Sequence, residues 1–145
     1  MKIANPKKLT EKEIFHHLFE IAKTSKDPEG VVAACLVKDK RIFVISPSSD
    51  DSIYHAEFLV VKKAKESGIP IDNECILYTT LEPCSDLPAV NDGIDCTTCL
   101  LDAGVKMIVY GANDPEYSKA AGNRFRKAGV NYRKQRTKKD RKSVV

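Results

Sequence analysis

Apolar side chains in the first part of the chain recur every three or four positions, which is the spacing of an amphipathic helix. Thr10 precedes this segment and Glu13 follows three residues later, which is the pattern of a helix-capping box. The spacing predicts a first helix over about residues 11–24. Its apolar face is formed by Ile14, Phe15, Leu18, Ile21 and Ala22.

Short apolar runs separated by turn-forming residues predict the strands of a sheet. The first two runs, VVAACLV (31–37) and RIFVIS (41–46), are separated by the polar residues KDK, which is typical of an antiparallel hairpin. The other predicted strands are ECILYTT (74–80), VKMIVYG (105–111) and VNYRKQ (130–135).

Three further helices alternate with these strands. One begins at His55 or just before it and ends at Gly68, and the others cover about residues 96–103 and 117–128. A helix, two strands and then alternating helices and strands predict an α/β fold. We expect a three-layer α/β/α sandwich around a central mixed five-stranded sheet.

The length of 145 residues fits one globular domain, which we assign to residues 1–132. Lys and Arg dominate the C-terminal tail, residues 133–145, and without it the chain is slightly acidic. Such a tail is usually a solvated terminus, although it can also neutralise phosphates. No run approaches the roughly 20 apolar residues of a membrane helix, and the first residues lack the apolar core of a secretory signal. We therefore expect a cytoplasmic protein.

Cysteine and histidine residues supply the candidate chemistry. Five cysteines in a chain without an export signal favour thiolate metal ligands over disulfides. His55, Cys84 and Cys96 each fall where a strand or loop gives way to a helix. One imidazole and two thiolates are good zinc ligands, and three protein ligands leave a fourth position for water. Glu57, close to His55 in sequence, can move a proton as general base and then general acid.

Cys99 permits another interpretation. Cys96 and Cys99 have the C-x-x-C spacing of a zinc knuckle, and a fourth thiolate ligand makes a closed, structural zinc site. In that case Glu57 is dispensable, and the protein is a non-catalytic structural zinc module that binds nucleic acid through its basic tail.

The motif HAE at 55–57 and the pair Pro83-Cys84 resemble the signature of the cytidine deaminase superfamily, the zinc-dependent nucleoside and nucleobase deaminases. With TLEPCS (80–85) and LLDAGVKMIVYGANDP (100–115), they look most like the deaminase domain of the bacterial riboflavin pathway and, less closely, the tRNA adenosine deaminases. The resemblance spans roughly residues 10–132.

Carried over residue by residue, this resemblance implies a Zn²⁺ ion held by His55, Cys84 and Cys96, with Glu57 as the proton shuttle. It implies hydrolytic deamination of an amino-substituted pyrimidine or purine, such as a free base, nucleoside, nucleotide or riboflavin-precursor-like compound. The expected partners are this small heterocyclic substrate and further copies of the chain, in a homodimer or higher homo-oligomer.

The resemblance also bears on residues beside the zinc ligands. In the relatives the second cysteine precedes an Ala-Gly pair by a fixed distance, and counting back from Ala103-Gly104 selects Cys96 over Cys99. Asp114 and Glu82 are the residues that it implies at the substrate pocket.

Two segments depart from the family pattern. Eleven residues, 85–95, separate Cys84 from Cys96, against two in the common signature. Asp27-Pro28-Glu29 replaces an asparagine that is common before the first strand. The enlarged loop and the basic tail together suggest an alternative substrate, a base in tRNA or single-stranded nucleic acid.

Overall fold

The computed structural model of the chain describes residues 7–28, 30–85, 90–114 and 119–136. Its helices and strands are α1 Glu11–Ala22, β1 Ala33–Lys38, β2 Arg41–Pro47, α2 Ala56–Glu66, β3 Ile76–Leu81, α3 Cys96–Asp102, β4 Met107–Ala112, α4 Ala120–Lys127 and β5 Asn131–Lys134. None of the described helices is long and apolar enough to cross a lipid bilayer.

The predicted capping box starts α1. The Thr10 hydroxyl accepts a hydrogen bond of 3.2 Å from the main-chain N–H of Glu13, and the Glu13 carboxylate accepts one of 3.1 Å from the N–H of Thr10. Two N–H groups that would otherwise lack partners at the helix end are satisfied in this way. The start of the first helix is therefore encoded locally, as predicted.

The strands form one mixed sheet in the order β2-β1-β3-β4-β5. β1 pairs antiparallel with β2 and β3, whereas β3 pairs with β4, and β4 with β5, in parallel. The β1-β2 hairpin turns through Asp39 and Lys40, whose φ angles of 51° and 60° are those of a two-residue type I′ turn. The predicted mixed five-stranded sheet is confirmed.

Helices cover both faces of this sheet. Successive side chains of a strand point to opposite faces, so each inner strand contributes to two apolar layers. The layer under α1 contains the strand residues Ala33, Cys35, Val37, Tyr78 and Val109. The layer under α2, α3 and α4 contains the strand residues Ala34, Leu36, Leu77, Ile108 and Tyr110. The predicted three-layer sandwich is confirmed.

The sheet extends beyond the predicted domain boundary at residue 132. β5 includes Arg133, whose guanidinium lies 2.6 Å from the Glu11 carboxylate, and the main-chain N–H of Arg136 donates to the same carboxylate at 2.9 Å. The first residues assigned to the tail therefore pack against the start of α1. Residues 137–145 lie outside the described residues.

Candidate metal centre

His55 lies at the boundary between an extended loop and α2. It is the N-cap of that helix, with φ −79° and ψ 155°. Residues two apart within a helix point in nearly opposite directions, and the extended backbone of His55 removes that restriction. His55 and Glu57 can therefore face one site, because His55 lies at the entrance of the helix and not within it.

Cys84 and Cys96 reach the same site from different elements. Cys84 follows β3, and Cys96 is the first residue of α3, after the N-cap Asp95. The main-chain N–H of Cys96 donates to the Cys84 sulfur at 3.3 Å, and the Thr97 hydroxyl donates to the Cys84 carbonyl at 2.8 Å. The start of α3 thus fixes Cys84 and directs a backbone donor at its sulfur, which favours the thiolate.

The donor atoms of His55, Cys84 and Cys96 lie within 4.8 Å of one another. Nδ1 of His55 is 3.4 Å from the Cys84 sulfur and 3.3 Å from the Cys96 sulfur. A tetrahedral zinc ion with Zn–S near 2.3 Å and Zn–N near 2.0 Å separates such ligand atoms by about 3.6 Å. The donor set and its spacing therefore fit Zn²⁺, with one coordination position left for a non-protein ligand.

Cys99 stands apart from this group. It lies one turn further along α3, is buried in the apolar layer under the helices, and is not among the three clustered ligands of the described residues. Burial raises the pKa of its thiol to about 11, so the thiol form is the stable one. This placement agrees with the choice of Cys96 over Cys99 that the resemblance implies, and it does not support a four-ligand structural site.

The two clustered thiols differ in how readily they ionise. The hydrogen bond with Cys96 lowers the pKa of Cys84 to about 5, and that with His55 acts in the same direction against burial. Burial raises the pKa of Cys96 well above its usual range. Two neighbouring thiolates repel each other, so both ionise readily only with a cation between them. The repulsion between the two thiolates therefore also favours a bound metal ion between them.

Glu57 lies in the first turn of α2, with only 3% of its surface exposed. Its carboxyl accepts a hydrogen bond of 2.9 Å from the hydroxyl of Thr79. Burial raises the pKa of this carboxyl above its usual value. It is thus a buried acid beside the three ligands without being one of them.

Glu82 and Asp114, the predicted substrate residues, lie where β3 and β4 end and are joined by a hydrogen bond. The Glu82 carboxylate is buried and accepts hydrogen bonds from the Tyr132 hydroxyl at 2.7 Å, the Asn113 amide at 3.0 Å and the N–H of Asp114 at 3.0 Å. Glu82 therefore holds the turn after β4 in place. A direct substrate contact stays a prediction for both residues.

Three residues that the sequence did not single out support the site. Thr79 contacts Glu57, Asn91 contacts both His55 and Cys96, and Arg124 contacts Ser85, the neighbour of Cys84. Thr79 belongs to an apolar strand pattern and Arg124 to a basic helix, so neither stands out in the sequence. Asn91 lies in the enlarged loop, where the sequence Asn-Asp-Gly is typical of a turn and does not indicate a role at a metal site.

Comparison with known proteins places this site in a family. Residues 9–112, well over half of the chain, match the family described as the cytidine and deoxycytidylate deaminase zinc-binding region. The chain belongs to this deaminase family. The predicted superfamily and the zinc cofactor are thereby confirmed. A comparison with curated protein sequences gives no match.

Solved structures share the fold of this deaminase-family chain. The diaminohydroxyphosphoribosylaminopyrimidine deaminase/5-amino-6-(5-phosphoribosylamino)uracil reductase of Thermotoga maritima is 27% identical, with a TM-score of 0.75 over 85% of this chain and 35% of its own. A dCMP deaminase of cyanophage S-TIM5, in complex with dCMP and dUMP, is 19% identical, with a TM-score of 0.67 over 88% of this chain and 99% of its own. The chain thus spans about a third of the bifunctional protein.

A structure from studies of A-to-I editing by tRNA:A34 deaminases is 23% identical, with a TM-score of 0.58 over 84% of this chain and 99% of its own. At such identities the phage and tRNA deaminases show a common fold only. The substrate of the present chain has to be argued from its own residues.

Proposed function

We propose that this chain hydrolyses the exocyclic amino group of an amino-substituted pyrimidine or purine and releases ammonia. The observation that carries the proposal is the buried carboxyl of Glu57, which is close enough to the three clustered ligands for the charges of His55 and Cys84 to act on it. A structural zinc site has no need of a buried, proton-transferring acid at this position.

Glu57 performs two proton transfers in this reaction. A zinc ion held by His55, Cys84 and Cys96 would supply Lewis acidity and so make a water molecule reactive towards the amino-bearing ring carbon near neutral pH. The carboxylate of Glu57 first accepts a proton from the attacking water. It then delivers a proton to the leaving amino group, so that the C–N bond breaks and ammonia departs. Because burial raises the pKa of Glu57, the protonated form needed for the second transfer is accessible.

Acidic side chains beside the loop that leads to His55 support a small substrate. Asp27 bonds to the Ser52 hydroxyl and is close enough to His55 for its charge to act on the imidazole. Asp92 accepts a hydrogen bond of 2.8 Å from the hydroxyl of Tyr54. Negative charges here repel a phosphate backbone, whereas an uncharged base or nucleoside meets no such barrier. We therefore favour a free heterocycle over a base in nucleic acid.

The test compares the wild type with Glu57→Gln and Glu57→Ala. Each protein is supplied with cytosine, adenine, guanine and aminopyrimidine compounds as bases, nucleosides and nucleotides, and ammonia release and bound zinc are both measured. We expect the wild type to release ammonia from at least one compound. Loss of the proton shuttle should lower that rate by about 10²-fold or more, with zinc content unchanged.

Two other outcomes distinguish the alternatives. If the wild type holds one zinc ion but turns over neither these compounds nor oligonucleotides, the site is structural and the proposal is wrong. If turnover occurs only with single-stranded DNA or RNA oligonucleotides, the enzyme acts on polymers, and the preference for a free heterocycle is overturned.

We also propose that the chain self-associates. Phe19 and Val31 are large apolar side chains, 47% and 43% exposed, and they line one cleft together with Ala22 and Leu81. An apolar cleft of this kind is better covered than left in water. Light scattering on the purified protein should give a mass of at least two chains, and a monomer at micromolar concentration would contradict the proposal.

A further inference from the structure

The segment between the two cysteine ligands reaches back to the metal centre through Asn91. This side chain is fully buried. Its Oδ1 accepts a hydrogen bond of 2.8 Å from the main-chain N–H of His55, and its Nδ2 donates one of 3.3 Å to the Cys96 sulfur. A main-chain N–H can only donate, so the amide oxygen must face His55 and the amide NH₂ must face the sulfur.

The local sequence explains how Asn91 reaches this position. Asn91, Asp92 and Gly93 have consecutive φ angles of 52°, 58° and 90°. Asn, Asp and Gly are the residues that adopt this left-handed region at least cost. The turn is fixed to the loop before α2, because the N–H of Asn91 donates to the Ile53 carbonyl at 2.9 Å and the Tyr54 hydroxyl donates to Asp92 at 2.8 Å.

The two bonds of Asn91 act on different properties of the site. The bond to the His55 backbone holds the residue that carries the imidazole at the start of α2. The bond to Cys96 directs an N–H group at a sulfur that must become anionic to bind zinc, and such charge-assisted bonds are stronger than neutral ones. Groups that orient metal ligands in this way commonly change metal affinity by about 10–100-fold when they are removed.

We propose that Asn91, supplied by the enlarged loop, is a positioning residue of the zinc site, which joins His55 to Cys96 and stabilises the Cys96 thiolate. The loop is then part of the metal centre as well as the connection between its cysteines. This inference concerns metal binding alone, so its test does not depend on whether the proposed deamination is observed.

Asn91→Asp keeps the hydrogen bond to His55 and removes the one to Cys96, so it tests the two bonds separately. Aspartate has the same size, tolerates the left-handed backbone and keeps an oxygen for the N–H of His55, but it places a carboxylate oxygen against the sulfur. Asn91→Gly removes both bonds and keeps the backbone conformation. Asp92→Asn is the matched control, because it alters the neighbouring residue of the same turn and keeps an acceptor for Tyr54.

The first measurement is the rate of zinc release into an excess of a chromogenic chelator, with folding checked by circular dichroism. We expect release about 10–100-fold faster from Asn91→Asp and Asn91→Gly than from the wild type, and a wild-type rate from Asp92→Asn. Wild-type release from both Asn91 variants would overturn the proposal. Equally fast release from the Asp92 control would do so too, because any change in the turn would then have the same effect.

The second measurement uses the Co²⁺-substituted proteins. A hydrogen bond to sulfur lowers the energy of its lone pairs, so losing the bond should move the sulfur-to-cobalt charge-transfer band to longer wavelength in both Asn91 variants. The band of Asp92→Asn should stay at the wild-type position. Unshifted bands in the Asn91 variants would show that the amide does not act on the Cys96 sulfur, whatever the rates of zinc release.

Discussion

The hydroxyl of Thr79 donates a hydrogen bond of 2.9 Å to the carboxylate of Glu57, and both side chains are almost completely buried. The carbonyl of Leu81 is a second acceptor, 3.0 Å from the same hydroxyl. A hydroxyl has one proton to donate, so it serves one of these acceptors at a time. When Glu57 is protonated, Thr79 can donate to Leu81 and accept from Glu57. Both protonation states of Glu57 therefore have a partner.

Thr79→Val removes this hydroxyl with little change in shape. A hydrogen bond to a charged group contributes about 1.5–3 kcal/mol, so we expect kcat to fall by about one order of magnitude or more, with KM and zinc content unchanged. Steady-state kinetics and metal analysis check this. In the Glu57→Gln background the same substitution should have no further effect on the residual rate, and an additional tenfold loss there would contradict the pairing.

Glu57→Gln should change stability in a pH-dependent way. Burial raises the pKa of Glu57 above its ordinary value of 4.5, so its contribution to stability is fully present below that value and is lost as pH rises through the folded-state pKa. Glutamine has no proton to lose there. The Tm of the variant, measured with a chelator in both samples, should exceed that of the wild type increasingly as pH rises. A Tm difference between the variant and the wild type that stays constant from pH 4 to 8 would contradict this prediction.

Cys96 and Cys99 should respond differently to replacement by serine. Cys96 belongs to the cluster of three ligand atoms, whereas Cys99 lies in the apolar layer. We expect Cys96→Ser to lose zinc and activity, and Cys99→Ser to keep its zinc and most of its activity while losing about 1–2 kcal/mol of stability through a buried hydroxyl. Metal analysis after dialysis distinguishes the two, and zinc loss from the Cys99 variant would reopen the four-ligand interpretation.

The sequence predicted what depends on periodicity and short motifs. The capping box at Thr10 and the order of strands and helices follow from spacing along the chain, whereas the choice of Cys96 over Cys99 as a ligand followed from the resemblance to the deaminase family. Contacts between residues that are far apart in the sequence produce no such pattern. The pairs Thr79–Glu57 and Arg124–Ser85 join residues 22 and 39 positions apart, and each member looks ordinary in its own segment. The resemblance implied Glu82 at the substrate pocket, and the structure gives its carboxylate three hydrogen bonds within the fold.

Arg124 joins the segments that carry the two cysteine ligands. Its guanidinium donates to the Ser85 hydroxyl at 2.8 Å, the Asp95 carboxylate at 3.1 Å and the Thr98 hydroxyl at 2.7 Å. Arg124→Ala should therefore lower stability by about 1–2 kcal/mol, since the guanidinium is partly exposed, and should speed zinc release. Thermal unfolding and chelator competition measure the two effects.

Arg126→Ala is the control on the same helix. The Arg126 guanidinium lies over the Tyr132 ring, 5.9 Å from its centre, and has no described bond to the cysteine segments. Arg126→Ala should therefore leave the rate of zinc release unchanged. Equal effects of the two substitutions on zinc release would mean that α4 acts on the site only through overall stability.

The C-terminal segment offers a test of where the folded domain ends. Arg133 and the N–H of Arg136 bond to Glu11, and the N–H of Gln135 donates to the Tyr110 carbonyl at 2.8 Å. Truncation after Arg136 keeps these bonds, whereas truncation after Tyr132 removes them. At about 1 kcal/mol for each bond and 2–4 °C for each kcal/mol, the shorter chain should melt at least about 5 °C lower.

The pH dependence of the Tm difference between the two truncated chains identifies the cause of that difference. Burial raises the pKa of Glu11, but the bonds from Arg133 and Arg136 outweigh burial, and the net shift is downward. A carboxyl with a lowered pKa stabilises the fold above its unfolded-state pKa and loses that effect as pH falls through the folded-state value. The Tm gap between the two truncated chains should therefore narrow below about pH 4, near the unfolded-state pKa of glutamate. A gap that stays constant down to pH 3 would assign the loss to the missing strand residues rather than to Glu11.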